Sequence, residues 1–259
     1  MTRDWVLGNY DDETSKYRFP GIKKIFGKIR KNKDINENEA EMLAKFADAF
    51  TTCSLNADEV GANVAKIAAK VNCHHHTFTC RKYCIRCRFN FPRFPMWKTV
   101  ISRPRKEETS STENYTHTLD KVRTLLESPE VIEDIMSKYQ KDKETKEEYE
   151  LNRKKRILEL LDMANVTEDE YLEALKYSKA GYSVILKRDL DEIYINSYNT
   201  EWIQAWDGNI DFSICFDYYA VLTYITEYYC KTDSTMQELL KEAAKNIENC
   251  KTQRERKSY

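Results

Sequence analysis

Between Cys73 and Phe89 the chain reads Cys-His-His-His-Thr-Phe-Thr-Cys-Arg-Lys-Tyr-Cys-Ile-Arg-Cys-Arg-Phe. Three of the four histidines and four of the eight cysteines of the protein fall in this stretch. The residues after Met1 contain no apolar signal core, so the thiols are expected to be reduced, and clustered reduced thiols read as metal ligands rather than disulfides. His74 and His76, two apart on an extended segment, point to the same side. With Cys80 and Cys87 they supply two imidazoles and two thiolates, the donor set of a tetrahedral Zn2+ site. All four positions are then filled, which makes the expected role of the ion structural: it fixes a loop with little core of its own. The spacing His-x-His-x3-Cys-x6-Cys is not that of an ordinary zinc finger, and Cys73 and Cys84 stand close enough to replace a ligand.

The net charge of −1 hides a strong local bias, because no Asp or Glu occurs from Lys66 to Lys106. Around the ligands lie Arg81, Lys82, Arg86, Arg88 and Arg93, interleaved with Phe89, Phe91 and Trp97. Cations neutralise phosphates and aromatic faces stack unpaired bases, so these eight residues are the expected nucleic-acid contacts. The competing reading packs the phenylalanines beneath the metal loop and leaves the arginines solvated. Pro92 and Pro95 favour an extended chain through this part.

On either side, the periodicity predicts an α+β fold in three regions. Residues 1–106 hold the helices and the Cys/His loop, 107–180 an acidic helical insertion, and 181–259 a small sheet with a tyrosine-bearing helix. Ile22, Ile25, Phe26 and Ile29 define one apolar helix face outside a turn at Phe19-Pro20-Gly21. Apolar spacing predicts helices over Asn36–Phe50 and Asn56–Val71. Residues 103–114 read as a loop, and the almost entirely charged Lys141–Arg156 as a solvated helix or flexible connection. Thr167 and Glu170 form a capping-box pattern at the start of a further helix. Strands are predicted at Tyr182–Arg188, Glu192–Asn196 and Ile210–Phe216, and helices at Tyr218–Cys230 and from Met236 to Cys250. Tyr224 and Tyr228, four apart, share a face of the first of these; from spacing alone, aromatic packing accounts for them more readily than a nucleophilic role. No apolar run reaches the roughly 20 residues that a bilayer demands, so no membrane partner is expected.

Taken jointly, two stretches resemble Helitron-type rolling-circle transposon proteins, replication initiators fused to a helicase. The first is His74-x-His76-Thr77-x-Thr79-Cys80-Arg81-Lys82-Tyr83 with Cys87-Arg88-Phe89-Asn90-Phe91-Pro92-Arg93. The second runs from Val184-Ile185-Leu186-Lys187-Arg188 through Ile195-Asn196-x-Tyr198-Asn199 and Trp206-x-x-Asn209-Ile210-Asp211 to the tyrosine helix. The resemblance implies an HUH endonuclease ancestry in which Tyr224 and Tyr228 are the catalytic nucleophiles and a His-hydrophobic-His strand binds a divalent metal. That strand should precede residue 46, yet the first histidine of this chain is His74. No glycine-rich Walker loop is present to mark a helicase. The expectation is therefore a DNA-binding fragment of such an initiator, intracellular and nuclear, with a structural Zn2+, single-stranded DNA as its partner and no autonomous nuclease activity. A separate HUH or helicase polypeptide is a second partner the resemblance implies. Two rivals stand beside it: a tyrosine-dependent nicking and strand-transfer enzyme using Mg2+ or Mn2+, and a zinc-stabilised protein-interaction module.

Overall fold

The computed structural model describes residues 10–11, 16–17, 19–31, 33–78, 80–81, 86–104, 109–139, 145–178 and 181–216, with 221–222, 225–226 and 242. Residues 1–214 form one compact unit and 215–259 a second. Tyr224 and Tyr228 lie outside the described residues, as does most of the helix expected to carry them and of the one after it.

The fold is α+β and mostly helical, with nine α-helices among the described residues around a two-stranded antiparallel ladder. A short hairpin ladder, β1 (Tyr10–Asp11) with β2 (Lys16–Tyr17), precedes the helices. Helix α1 (Ile22–Arg30) buries Ile22, Ile25 and Ile29 on one face, as its periodicity predicts. It packs on α2 (Glu37–Phe50) through a ring cluster in which Phe46 meets Phe19, Phe26 and Phe50 at 4.7–5.8 Å between centroids. Helix α2 opens with a complete capping box: the Asn36 side chain accepts from Glu39 N–H, and Glu39 accepts from Asn36 N–H. Two orphan donors of the first turn are thereby satisfied.

The helix expected over Asn56–Val71 is broken in two, α3 (Ala57–Val60) and α4 (Ala62–Val71). Gly61 separates them at φ +87°, a backbone conformation only glycine adopts without strain. The expected loop at 103–114 is half wrong: α5 begins at Thr109 and runs to Leu126. Helices α6 (Pro129–Lys138), α7 (Lys146–Met163) and α8 (Glu168–Tyr177) follow. Thr145 with Glu148 and Thr167 with Glu170 both close capping boxes.

The main core gathers Met96 and Val100, Leu119, Val122 and Leu126 of α5, and the apolar faces of α7 and α8 against Leu190 and Ile193. Residues from the stretches before 107, from 107 to 180 and from 181 to 194 therefore share one core. The solvated reading of Lys141–Arg156 holds for the exposed first turn of α7 and is corrected at Arg153 and Arg156, which are 1% and 2% exposed and face acidic partners inside the fold.

Strand β3 (Val100–Ser102) pairs with β4 (Ser183–Ile185) in the register Ile101↔Val184. The strand expected over Tyr182–Arg188 is thus three residues long, continued only by an isolated bridge between Met96 and Arg188. No ladder forms at 192–196 or 210–216. Instead Asp189 caps a 3-10 turn at Leu190–Glu192, and the buried Arg188 guanidinium donates to the carbonyls of Glu192 and Ile195. A side chain satisfies acceptors that a neighbouring strand would otherwise have taken, and the segment curls. Helix α9 (Thr200–Trp206) closes the described part of this region.

Candidate metal centre

The Cys/His loop leaves the C-terminal end of α4, where Asn72 is wholly buried and fully used. Its side-chain amide donates to Ile210 O at 2.9 Å and Asn196 O at 3.3 Å, and its Oδ1 accepts from Ile210 N–H at 2.9 Å. His74 N–H then donates to Tyr194 O (2.7 Å), and Arg93 N–H to Ile193 O (2.8 Å). Both ends of the loop are tied to the curled segment after Asp189. Within the loop, Arg88 N–H donates to Cys80 O (2.9 Å) and Asn90 N–H to Cys87 O (2.9 Å). These bonds return Cys87 beside the residues it left.

Side-chain donors of His74, His76, Cys80 and Cys87 all lie within 4.8 Å of one another. Cys87 Sγ is 3.3 Å from His74 Nε2, and Cys80 Sγ is 3.5 Å from His76 Nδ1. Zinc bonds of about 2.3 Å to sulfur and about 2.0–2.1 Å to nitrogen place tetrahedral neighbours roughly 3.3–3.8 Å apart. The His2Cys2 grouping fits such an ion and can hold one. Both cysteines are buried; Thr77 N–H donates to Cys80 Sγ at 3.3 Å and the Cys80 thiol donates to Thr77 O at 3.2 Å, which holds the sulfur against the turn. Burial, then the neighbouring His76 ring, pushes the His74 imidazole below its usual range; burial and then Arg81 do the same for His76. The neutral imidazole that a metal requires is therefore the favoured form.

Ring packing orients the ligands. Phe91 is 1% exposed, stacks on His74 at 4.4 Å and 10°, and forms a small core with Cys80 and Cys87 against Tyr194. Tyr194 meets His76 edge-on at 5.7 Å. Cys73 stands outside the converging group: it bridges Ile195 through its backbone, and burial raises its thiol. Cys84 lies outside the described residues.

The expected nucleic-acid residues divide. Arg81, Arg86, Arg88 and Phe89 are exposed on the loop. Arg88 lies over the Phe89 ring at 4.5 Å, and Arg86 reaches Asp120 of α5 at 2.7 Å. Phe91 is corrected: its faces are taken by His74 and the Arg93 guanidinium, which sits 4.7 Å from its centroid, so no base can stack there. Trp97 packs against the main core with the Lys154 ammonium 5.2 Å from its ring. Lys82 lies outside the described residues, as do Tyr224 and Tyr228. Sequence reasoning missed Phe78, which is 79% exposed between His76 and Cys80. Its position inside the ligand spacing, where few side chains can be buried, was the available signal.

Comparison with protein-family models, with curated proteins and with solved structures finds no match for this chain. Among the described residues, no helix is long and apolar enough to cross a membrane.

Proposed function

We propose that the chain is a single-stranded DNA-binding module related to Helitron-type replication initiators, with a structural zinc ion and no autonomous nuclease activity. One observation carries the reading: four soft donors converge under a loop whose outer surface presents Arg81, Arg88, Phe78 and Phe89. His74, His76, Cys80 and Cys87 would hold the ion, whose chemistry there is to cross-link a loop of small core. The loop's own residues do the binding. Arg81 and Arg88 meet phosphates, and the Phe78 ring and the face of Phe89 that Arg88 leaves open are surfaces that only unpaired bases can reach.

The test pairs elemental analysis with binding. One zinc per folded chain and retention on oligo-dT that falls steeply with salt are the expected results. A folded, metal-free protein would end the structural-zinc part, and salt-independent or absent retention would end the DNA part. The nuclease clause has its own assay, incubation with labelled single-stranded DNA and Mn2+. No covalent adduct is expected; an adduct abolished by Tyr224→Phe and Tyr228→Phe would overturn it.

A further inference from the structure

Helix α9 holds two tryptophans in solvent, Trp202 at 62% and Trp206 at 71% exposure. They are four residues apart and so lie on one side of the helix, while Ile203 between them is wholly buried. The helix is firmly set. Asn199 accepts from Glu201 N–H and Trp202 N–H, and its amide donates to Phe50 O at 2.9 Å. Ile203 packs with Val64 and Ala68 of α4. Phe212 approaches Trp202 at 6.2 Å between ring centroids. Two large rings held rigidly in water form a surface that most folded chains cover.

Charge decides what fits it. From Ile193 to Phe216 the chain carries Glu201, Asp207 and Asp211, all exposed, and no lysine, arginine or histidine. Lys66 and Lys70 of α4 sit two positions on from Val64 and Ala68, on the side of that helix turned away from Ile203. A polyanion such as DNA, or an anionic lipid surface, meets these carboxylates, and among the described residues the cation that Asp211 feels is Arg93, whose guanidinium is held against the Phe91 ring. Arginine and lysine heads find both attractive elements, the faces of indole rings and nearby carboxylates. We propose that the Trp202–Trp206 face of α9 is a docking site for an arginine- or lysine-rich segment of a separate protein. The proposal does not rest on the metal centre or on DNA binding.

The experiment titrates the full chain with fluorescein-labelled octa-arginine and follows indole emission and anisotropy, with octa-glutamate and oligo-dT as comparison probes. Saturable octa-arginine binding is expected, weakened roughly three- to thirtyfold by Trp202→Ala or Trp206→Ala. Trp206→Phe should fall between wild type and alanine, and Asp207→Asn with Asp211→Asn should flatten the salt dependence. Both rings are exposed, so melting curves of the alanine variants should match the parent. Gly208→Ala adds a positional check, because its methyl group would come within 2.9 Å of Trp206 Nε1 and displace the ring. Octa-arginine binding indifferent to both alanine changes would overturn the proposal. So would oligo-dT quenching at these tryptophans, or a self-association of the chain that the alanine variants abolish, since the occupant would then be DNA or a second copy.

Discussion

Arg156 donates to both carboxylate oxygens of Asp189, 33 residues away in sequence, with both side chains almost wholly buried. The same Asp189 lies 3.9 Å from Arg153, whose other end reaches Glu59 at 3.2 Å. Helix α7 is thus tied by ionic contacts to the turn that follows β4 and to α3. Removing one member of a buried pair strands the other charge without water. Asp189→Ala should therefore cost about 3–5 kcal/mol in urea unfolding. Arg153→Met should cost less, about 1–3 kcal/mol, because Glu59 keeps Lys187 at 3.1 Å. A larger loss for Arg153→Met than for Asp189→Ala would show that the network is centred elsewhere.

Cysteine reactivity should separate ligand from core. Cys53 is wholly buried, its thiol donates to Lys187 O at 3.2 Å, and burial raises it to about 12. It should resist alkylation at pH 8 until the protein unfolds globally. Cys80 and Cys87 should be protected in the zinc-loaded chain and become alkylated within minutes after strong chelation. Mass-spectrometric mapping of iodoacetamide adducts reads all three sites at once. Fast labelling of Cys80 and Cys87 in the loaded protein, unchanged by chelator, would contradict their role as ligands.

Alkaline pH offers a third check. Tyr171 and Tyr198 are buried, donate to Pro95 O and Ser54 O, and are both pushed above the ordinary tyrosine range by that burial. Their neutral forms are stabilised by folding. The contribution is fully present below the unfolded value of about 10 and declines as pH rises beyond it, because the unfolded chain then releases protons that the folded chain keeps. From these two tyrosines alone stability should be flat from pH 7 to about 9 and fall above 10, and the buried Cys53 thiol adds a decline that starts near its unfolded value of about 8.5. Tyr171→Phe should start lower by about 1–3 kcal/mol, since Pro95 O loses its donor, yet decline less steeply with pH. Parallel stability curves for the variant and the parent across pH 9–11 would remove Tyr171 from the effect.

Local rules were legible and long-range ones were not. The buried face of α1, the capping residues of α8, and the convergence of His74, His76, Cys80 and Cys87 all follow from spacings of a few residues. The break at Gly61 was also visible in principle, since glycine inside a helical pattern signals a special φ. What escaped depended on contacts across the chain. Arg153 and Arg156 read as solvated because their partners, Glu59 and Asp189, are 94 and 33 residues away. The alternation at 192–196 looked like a strand, but Arg188 captured the carbonyls a ladder would have used. Phe91 looked identical to Phe89 in sequence, and only the fold buries one beneath His74 and leaves the other in water.

That difference between the two phenylalanines yields the sharpest expectation for DNA binding. Arg81→Ala removes an exposed cation, so it should lower affinity for oligo-dT and reduce the magnitude of the log–log salt slope by about 0.7 per lost phosphate contact. Phe78→Ala and Phe89→Ala leave the charge unchanged; each should weaken binding by about 1–3 kcal/mol with the slope intact. Phe91→Ala should instead open a cavity under His74, and its cost of about 3–5 kcal/mol should appear in stability, with loss of zinc, rather than in the slope. Filter binding at several salt concentrations, run beside thermal melts and zinc analysis, separates the three outcomes. If Phe78→Ala and Phe89→Ala bind as tightly as the parent while Arg81→Ala does not, the loop reads backbone charge alone, and duplex DNA should then bind as well as single strands.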